Sequence, residues 1–303
     1  MKIYLNRQPV QGPWGGGNKT VTKLAEFLTR SGHDICYRLE KNIDIIFCFD
    51  PRPNNFGESY QNFLNYKNLY GAKLIQRVGD VGTHNKPQLT GLVKQTVCYS
   101  DHIIFPSEWA KEYINYNAKN CSVIHNGPLE IFHEYKRNKK LNETVNVITH
   151  HWSTNSKKGF QYYRLLDEYM DKNENINFTF IGRTPDNFYF KNVDYVGPTG
   201  DDQLMAKKIS EKDIYLTASE EEAGANHVLE GLASGLPVIY HNNGGSINNY
   251  CHDRGLEYAT FDELLLAIKK IREDYSNYKE KAMGYTRTIN DVVKEYGQLI
   301  YEI

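Results

Sequence analysis

The stretch DIYLTASEEEAGANHVLEGLASGLPVIY, residues 213–240, contains a complete strand–helix–strand unit. Two apolar runs at its ends, Asp213–Thr217 and Pro237–Tyr240, have the length and composition of buried strands. The segment His227–Ser234 between them has the spacing of a helix that covers such strands. Strands that are joined through a helix pair in parallel, so this unit predicts a parallel α/β sheet.

The same alternation of apolar runs and helical segments extends from this unit through the chain. It forms two blocks, separated by the charged residues 129–143, which contain no clear strand. We therefore predict an α/β fold with two Rossmann-like domains, residues 1–140 and 141–285, and a C-terminal helix at 286–303. Ligands of such sheets bind at the carboxyl ends of the strands, so the loops after strands are the candidate sites.

The composition is that of a globular protein. The chain has 303 residues, 40% hydrophobic and 24% charged, which favours about two domains. No apolar run approaches the ~18 residues of a membrane span, and the N-terminus lacks the apolar core of a secretory signal. The five cysteines are scattered without a C-x-x-C pair, which indicates reduced thiols, no zinc site and a cytoplasmic protein.

Charge is distributed unevenly along the chain. The formal net charge of -1 argues against electrostatic binding of nucleic acid by the protein as a whole. Residues 1–143 carry 19 Lys and Arg against 13 Asp and Glu, and the rest of the chain carries the other 17 and 24. This positive half fits chance solvation of a surface, and it also fits an anionic or membrane-associated partner at the inner face of a membrane.

Three consecutive glycines, Gly15, Gly16 and Gly17, follow the first predicted strand. Glycine lets the backbone approach a ligand closely and present N–H donors to a phosphate. Asn18 interrupts the adjacent Gly-Lys of a Walker A loop, and Thr20 stands where a G-x-G-x-x-G motif has its third glycine. A phosphate-binding turn and a flexible surface turn are the two interpretations.

Two carboxylates, Glu222 and Glu230, lie eight positions apart in the quoted stretch. Because Gly224 and Ala225 disfavour a continuous helix, we expect a loop at Glu222 and a helix from about Asn226. The backbone N–H groups at 224–226 then face a phosphate, and Glu230 in the first helical turn can accept two hydrogen bonds from a ribose diol. The alternative is a solvated acidic run.

A third polar segment, HHWSTNSKKG at 150–159, follows the first strand of the second block. Lys157 and Lys158 can neutralise a diphosphate, while Ser153 and Asn155 can donate hydrogen bonds to it. The two adjacent histidines at the strand end face opposite ways, so we expect no metal site built from both. Solvated lysines at a helix start are the alternative.

Together these motifs resemble those of the GT-B glycosyltransferases, in particular the large retaining group called family four. The resemblance spans almost the whole chain in the right order. Its blocks are the glycine loop, Ser107–Lys111 (SEWAK), Asn126-Gly127, Lys158-Gly159, the Glu222–Glu230 block, Gly235-Leu-Pro237 and Gly244-Gly245.

The resemblance implies a metal-independent enzyme that moves a hexose from a nucleotide-diphosphate sugar, its co-substrate, to a hydroxyl acceptor, with no other cofactor. It implies that Glu230 binds the ribose, that Lys158 binds the diphosphate and that Glu222 contacts the sugar near its reacting carbon. It also implies that the final helix packs back on the first domain and that Asn126 and Gly127 are structural. The remaining implied donor contacts are backbone groups of Gly15, Gly16, Gly17, Gly224, Ala225 and Asn226.

One departure from the family concerns the diphosphate. Trp152 stands nearest the position of an Arg that the family usually places before the K-G lysine. Neutralisation then falls to both lysines with Ser153, Asn155 or His151, or to Arg183 after the next strand.

The acceptor side is predicted from the first domain. Arg77, Asp80 and His84 follow a strand at a position that resembles that of a family His facing the donor sugar. We therefore predict catalytic roles for Asp80 and His84 beside Glu222, and acceptor-side roles for Arg77 and Asp50. A local Arg77–Asp80 ion pair with an exposed His84 is the alternative.

Two further functions compete with the transferase. One is a catalytically silent GT-B domain that binds a sugar or a partner, and the other is a hydrolysing or epimerising GT-B enzyme. The retained Glu222, Glu230 and Lys158 favour a transferase whose partners are a nucleotide sugar and a hydroxyl acceptor, without nucleic acid.

Overall fold

The computed structural model describes residues 1–10, 12 and 16–303. They form two compact units, Met1–Gly127 together with Ile289–Ile303, and Pro128–Thr288. Each unit contains a six-stranded sheet in which all neighbouring strands are parallel. The predicted fold class, two Rossmann-like α/β domains, is confirmed.

The first sheet consists of β1 Lys2–Leu5, β2 Asp34–Cys36, β3 Ile45–Cys48, β4 Lys73–Arg77, β5 His102–Phe105 and β6 Cys121–Val123. Its helices are α1 Gly16–Arg30, α2 Tyr60–Tyr70, α3 Pro87–Thr96 and α4 Glu108–Ile114. The strand order is β2–β1–β3–β4–β5–β6. All four residues of β3 are buried, because a parallel sheet is covered on both faces.

The second sheet consists of β7 Val145–His151, β8 Ile176–Gly182, β9 Asp194–Val196, β10 Ile214–Thr217, β11 Val238–His241 and β12 Gly255–Tyr258. Its helices are α5 Ile131–Glu134, α6 Phe160–Met170, α7 Asp202–Ser210, α8 Asn226–Ala233, α9 Ser246–Cys251, α10 Phe261–Glu273 and α11 Tyr275–Met283. The strand order is β12–β11–β10–β7–β8–β9. Strand β12 and helix α9 are both short, and neither contains a long apolar run from which it could be predicted.

The last helix, α12 Ile289–Glu302, belongs to the first unit. Its apolar face, with Val292, Val293 and Tyr296, packs in one buried cluster with Val21 and Leu24 of α1. The C-terminal helix therefore returns to the first unit, as the resemblance implies.

The first unit ends at Gly127, whereas the sequence placed the boundary at residue 140. The reason is the short helix α5, whose Phe132 is fully buried in a cluster with Ala206 and Leu232 of the second unit. A single buried aromatic among charged neighbours gives little periodicity, so its packing could not be read from the sequence.

Each sheet has one point at which the strand order reverses. In the first sheet it lies between β1 and β3, and in the second sheet it lies between β7 and β10. Loops that follow adjacent strands at such a point leave toward opposite faces and open a crevice in which α/β proteins bind ligands. The predicted site residues lie at the carboxyl ends of strands, in the loops that follow them or in the helices after those loops, close to these two points.

Candidate functional site

Two loops lie side by side at the reversal point of the second sheet. The first, after β7, contains Lys157 and Gly159, and the second, after β10, contains Ala218 and Glu220. The backbone N–H of Glu220 donates to the carbonyl of Lys157 at 2.8 Å. A β-carbon on Gly159, whose φ is +70°, would lie 2.2 Å from the carbonyl oxygen of Ala218. Glycine at 159 therefore lets the two loops meet.

The lysines of the first loop are paired with the acidic run of the second. Lys158 forms an ion pair with Glu222, and their side chains are 8% and 13% exposed. Lys157 pairs with Glu221, and these side chains are 30% and 27% exposed. An anionic ligand that binds the ammonium of Lys158 must therefore compete with the carboxylate of Glu222.

The loop after β11 holds the backbone of Glu222. The N–H of Glu222 donates to the carbonyl of Gly244 at 3.2 Å, and the N–H of Ser246 donates to the carbonyl of Glu222 at 2.9 Å. This pairing extends the parallel ladder by one isolated bridge, Glu222 with Gly245. In the sequence, only the position of Gly244 and Gly245 after the Pro237–Tyr240 strand indicates this bridge.

Helix α8 begins at Asn226, so Glu230 is its fifth residue and lies in the second turn, not in the expected first turn. Its Oε2 lies 2.6 Å from Nε2 of His150, and both side chains are buried. Nδ1 of His150 lies 3.0 Å from the hydroxyl of Tyr215. Burial raises the pKa of Tyr215 far above its ordinary value, so this hydroxyl keeps its proton. His150 Nε2 thus donates to the carboxylate, while the Tyr215 hydroxyl, which lies beside Nδ1, donates to the backbone carbonyl of His150 at 3.2 Å.

The backbone before α8 differs in one detail from the prediction. The N–H of Asn226 donates to the carbonyl of Gly224 at 3.0 Å and so already has a partner. Ala225, the residue between them, is 1% exposed. These three residues follow Glu222 between β10 and the start of α8.

Ser153 and Asn155 use their side-chain oxygens within their own loop. Ser153 Oγ accepts from the N–H of Asn155 at 3.2 Å, and Asn155 Oδ1 accepts from the N–H of Lys157 at 2.9 Å. The two residues therefore shape the turn that carries the lysines.

Arg183 lies against Trp152. Its guanidinium carbon is 3.7 Å from the centre of a Trp152 ring, a cation–π contact, and both residues are exposed. The family's usual Arg would stand near the position of Trp152. The structure therefore brings a guanidinium from the loop after β8 to the residue that replaces this Arg.

His151 packs among aromatic side chains, and its Nδ1 lies 2.9 Å from the carbonyl oxygen of Ser153. Its ring lies 5.1 Å from that of Phe160 and 5.0 Å from that of Phe180. Burial holds its pKa well below the ordinary value, so the ring is neutral. A neutral His151 ring carries no charge with which to neutralise a diphosphate.

In the first unit, a cavity of about 870 Å³ lies beside the reversal point of that sheet. Its lining includes Gly16, Gly17, Asp50, Arg77 and Asp80. Gly16 and Gly17 are the first residues of α1 instead of a loop before it. The predicted donor contact at Gly15 lies outside the described residues. Sequence reasoning thus found five residues of one cavity without indicating that they share it.

Arg77 and Asp80 do not pair with each other. Asp80 Oδ2 accepts from Lys86 Nζ at 2.7 Å, while Arg77 donates to the Tyr296 hydroxyl and to Asn126 Oδ1, both at 2.9 Å. The alternative interpretation, a local Arg77–Asp80 ion pair, is therefore not formed, and Asn126 bonds to Arg77.

Asp50 and His84 have different surroundings. Burial raises the pKa of Asp50, but hydrogen bonds from Arg52 and the nearby charge of Arg7 outweigh burial, and the pKa lies below its ordinary value. His84 is half-buried in the loop before α3 and is not part of the cavity lining.

Within 1–10, 12 and 16–303, no group of three or more His, Cys, Asp or Glu is placed to hold a metal ion. No helix in that part of the chain combines the length and the apolar character needed to cross a bilayer.

Comparisons with known proteins give matches to solved structures. No protein-family model matches the chain, and no curated protein sequence matches it. A glycosyltransferase from Rickettsia africae aligns over 99% of this chain and 98% of its own, with a TM-score of 0.73 and 13% identity. Sucrose-phosphate synthase from Thermosynechococcus elongatus aligns over 99% and 98%, with a TM-score of 0.71 and 14% identity.

A third similar structure is Anabaena HepE in complex with UDP-glucose. It aligns over 100% of this chain and 99% of its own, with a TM-score of 0.69 and 12% identity. These likenesses show that the chain has the fold of the GT-B glycosyltransferases, the group that its motifs resemble.

Proposed function

We propose that this protein is a retaining, metal-independent glycosyltransferase that moves a hexose from a nucleotide-diphosphate sugar to a hydroxyl acceptor. The observation that carries the proposal is the placement of the Lys158–Glu222 ion pair and of buried Glu230 after β7 and β10, the two strands at the reversal point of the second sheet. A cation for a diphosphate and a carboxylate for a ribose lie where α/β folds bind nucleotides. The HepE structure, of the same fold, holds UDP-glucose.

The donor site follows from these contacts. Glu230 accepts the ribose hydroxyls, while His150 fixes one of its oxygens. Lys158 exchanges the carboxylate of Glu222 for the diphosphate, which carries more charge. The released Glu222 then contacts hydroxyls of the sugar. Arg183, supported by Trp152, supplies the second cation.

The chemical step depends on stabilising the leaving group. As the bond between the anomeric carbon and the phosphate oxygen breaks, negative charge builds on the diphosphate and the sugar becomes oxocarbenium-like. The fixed charges of Lys158 and Arg183 oppose this growing charge. The acceptor hydroxyl attacks from the face that the phosphate leaves and gives its proton to the departing phosphate oxygen. A nucleoside diphosphate and a glycoside of retained configuration result.

The first unit supplies the acceptor side in this proposal. Asp50, Arg77 and Asp80 line its cavity beside the start of α1. Asp80 orients the acceptor through its carboxylate. His84 lies on the same loop as Asp80.

The direct test is a thermal-shift titration of UDP, GDP, ADP, TDP and CMP against the wild type and Glu230→Ala. A ligand at 100 times its Kd adds about 2.7 kcal/mol to the free energy of unfolding. We expect one diphosphate to stabilise the wild type and to lose this effect in Glu230→Ala. Exposed Lys94→Gln, on α3 of the first unit, is the control and retains the full response.

The same titration separates the competing functions. Absence of any nucleotide response contradicts the transferase and favours a silent binding module. Where one nucleotide binds, its sugar conjugate is incubated with the enzyme, and release of free sugar without an acceptor distinguishes a hydrolase from a transferase.

A further inference from the structure

The cavity of the first unit has the size and the chemistry of a small-molecule site. Its volume of about 870 Å³ is within the range of ligand pockets. It is bordered by the loops after β1, β3 and β4, at the carboxyl ends of adjacent strands. Aromatic side chains, Tyr37, Phe49 and Phe56, form part of its wall.

The charged lining has an excess of cations. Four cationic side chains, Arg7, Arg52, Arg77 and Lys86, border the cavity, together with two carboxylates. Asp50 bonds to Arg52 at 2.5 Å and to Arg7 at 3.2 Å, and Asp80 bonds to Lys86. The two carboxylates of the lining thus pair with the three outer cations. Neither of them pairs with Arg77.

Arg77 is the innermost of these cations, and it is only 4% exposed. Nε donates to the Tyr296 hydroxyl and Nη2 donates to the Asn126 side-chain oxygen, so both partners are neutral. No carboxylate of the described residues forms an ion pair with it. A buried guanidinium is costly unless a charge compensates it.

Nη1, the third guanidinium nitrogen of Arg77, lies beside Gly79 in the cavity wall. Nη1 lies 2.5 Å from the position that a β-carbon on residue 79 would take, and Gly79 itself lines the cavity. Glycine at this position leaves the space through which Nη1 can meet a ligand.

We propose that this cavity binds an acceptor that carries a phosphate monoester, whose oxygens Arg77, Lys86 and Arg52 hold. That the bound molecule is an acceptor rests on the proposed function, whereas the phosphate site itself rests on the cavity. A phosphate monoester carries ≈ −1.5 to −2 charges at neutral pH, which matches the excess of two cations over carboxylates in the lining. Guanidinium groups are suited to phosphate oxygens because their N–H donors form a planar fork.

The test measures binding by the full chain with isothermal calorimetry. Its probes are glucose 6-phosphate, inorganic phosphate, glucose, and phosphatidylcholine vesicles with and without phosphatidic acid. We expect glucose 6-phosphate to bind at least tenfold more tightly than glucose, because a charge-assisted hydrogen bond contributes about that factor. Vesicle binding that requires phosphatidic acid, without binding of glucose 6-phosphate, would assign the monoester to a lipid.

Variants locate the binding. Lys86→Gln and Gly79→Ala, at a half-buried and an exposed loop position, should each weaken binding of the phosphate ligand about tenfold. Arg77→Lys, which retains the charge without the fork, is the third variant, and its thermal unfolding is measured alongside. Lys94→Gln is the matched control, since Lys94 is exposed outside the cavity.

Three outcomes overturn the inference. The first is equal affinity for glucose 6-phosphate and glucose with no vesicle binding, and the second is binding that Lys86→Gln and Gly79→Ala leave unchanged. The third is loss of phosphate binding in Lys158→Met, which would place the ligand in the donor site. Nucleoside diphosphate binding that depends on Glu230 tests the proposed function separately, so either proposal can fail while the other stands.

Discussion

Glu230 and His150 form the buried polar contact that connects α8 to β7, with 2.6 Å between Oε2 and Nε2. Tyr215 of β10 completes the chain through its hydroxyl, 3.0 Å from Nδ1 of His150. The three residues come from three neighbouring elements at the reversal point of the second sheet. The proposed ribose carboxylate is therefore held in place before any ligand arrives.

The first prediction concerns the coupling of these two residues. His150→Leu removes the donor to Oε2 of a buried carboxylate and should lower the free energy of unfolding by about 1–3 kcal/mol. The double variant His150→Leu/Glu230→Leu should lose less than the sum of the two single variants, by about 0.5–3 kcal/mol. Urea unfolding of the four proteins measures both values. Additive losses would show that the contact contributes nothing.

The second prediction compares adjacent lysines. Lys158→Met should weaken binding of the stabilising nucleoside diphosphate by about tenfold or more, because a buried, charge-assisted contact is lost. Lys157→Met removes the same charge from a more exposed pair and should change the affinity by only about twofold. Calorimetric titration gives both values. The corresponding nucleoside, which has no phosphate, is the control ligand. Equal effects of the two substitutions would contradict the assignment of the diphosphate to Lys158.

The third prediction concerns Arg183 and its aromatic support. An exposed cation–π contact contributes about 0.5–1 kcal/mol, so Trp152→Ala should weaken diphosphate binding about two- to fivefold. Trp152→Phe retains an aromatic face and should have a smaller effect. Once Arg183 is replaced by Gln, Trp152→Ala should add nothing further. An additional loss in that double variant would mean that Trp152 contacts the ligand itself.

The fourth prediction is a pH dependence of stability. Burial lowers the pKa of His151 well below its ordinary value of 6.5. Below about pH 6.5, the unfolded chain therefore binds a proton at this residue that the folded chain does not bind. Stability should then fall with decreasing pH by about 1.4 kcal/mol per pH unit for this one proton. His151→Asn retains a donor for the Ser153 carbonyl. Its stability should fall less steeply, as urea unfolding from about pH 7 to about pH 5 would show.

The control for this pH experiment is His241→Asn. Burial also lowers the pKa of His241, but less strongly. A wild-type slope that His151→Asn leaves unchanged would mean that other groups account for the acid sensitivity.

Local patterns in the sequence determined the class of fold. Apolar runs of strand length and the helical segments between them predict parallel sheets, because burial on both faces requires such runs. They also located Lys158, Glu222 and Glu230 in loops or helices that follow strands. Strand β12 escaped prediction because its sequence, GLEY, has no apolar run.

Only the tertiary structure decided which of these residues meet. His150 and Glu230 are 80 positions apart, and Arg77 and Tyr296 are 219 apart. Strand order and the return of α12 to the first unit create both contacts. Neither leaves a periodic pattern in the chain, since periodicity reports the face on which a residue lies and not the partner across it.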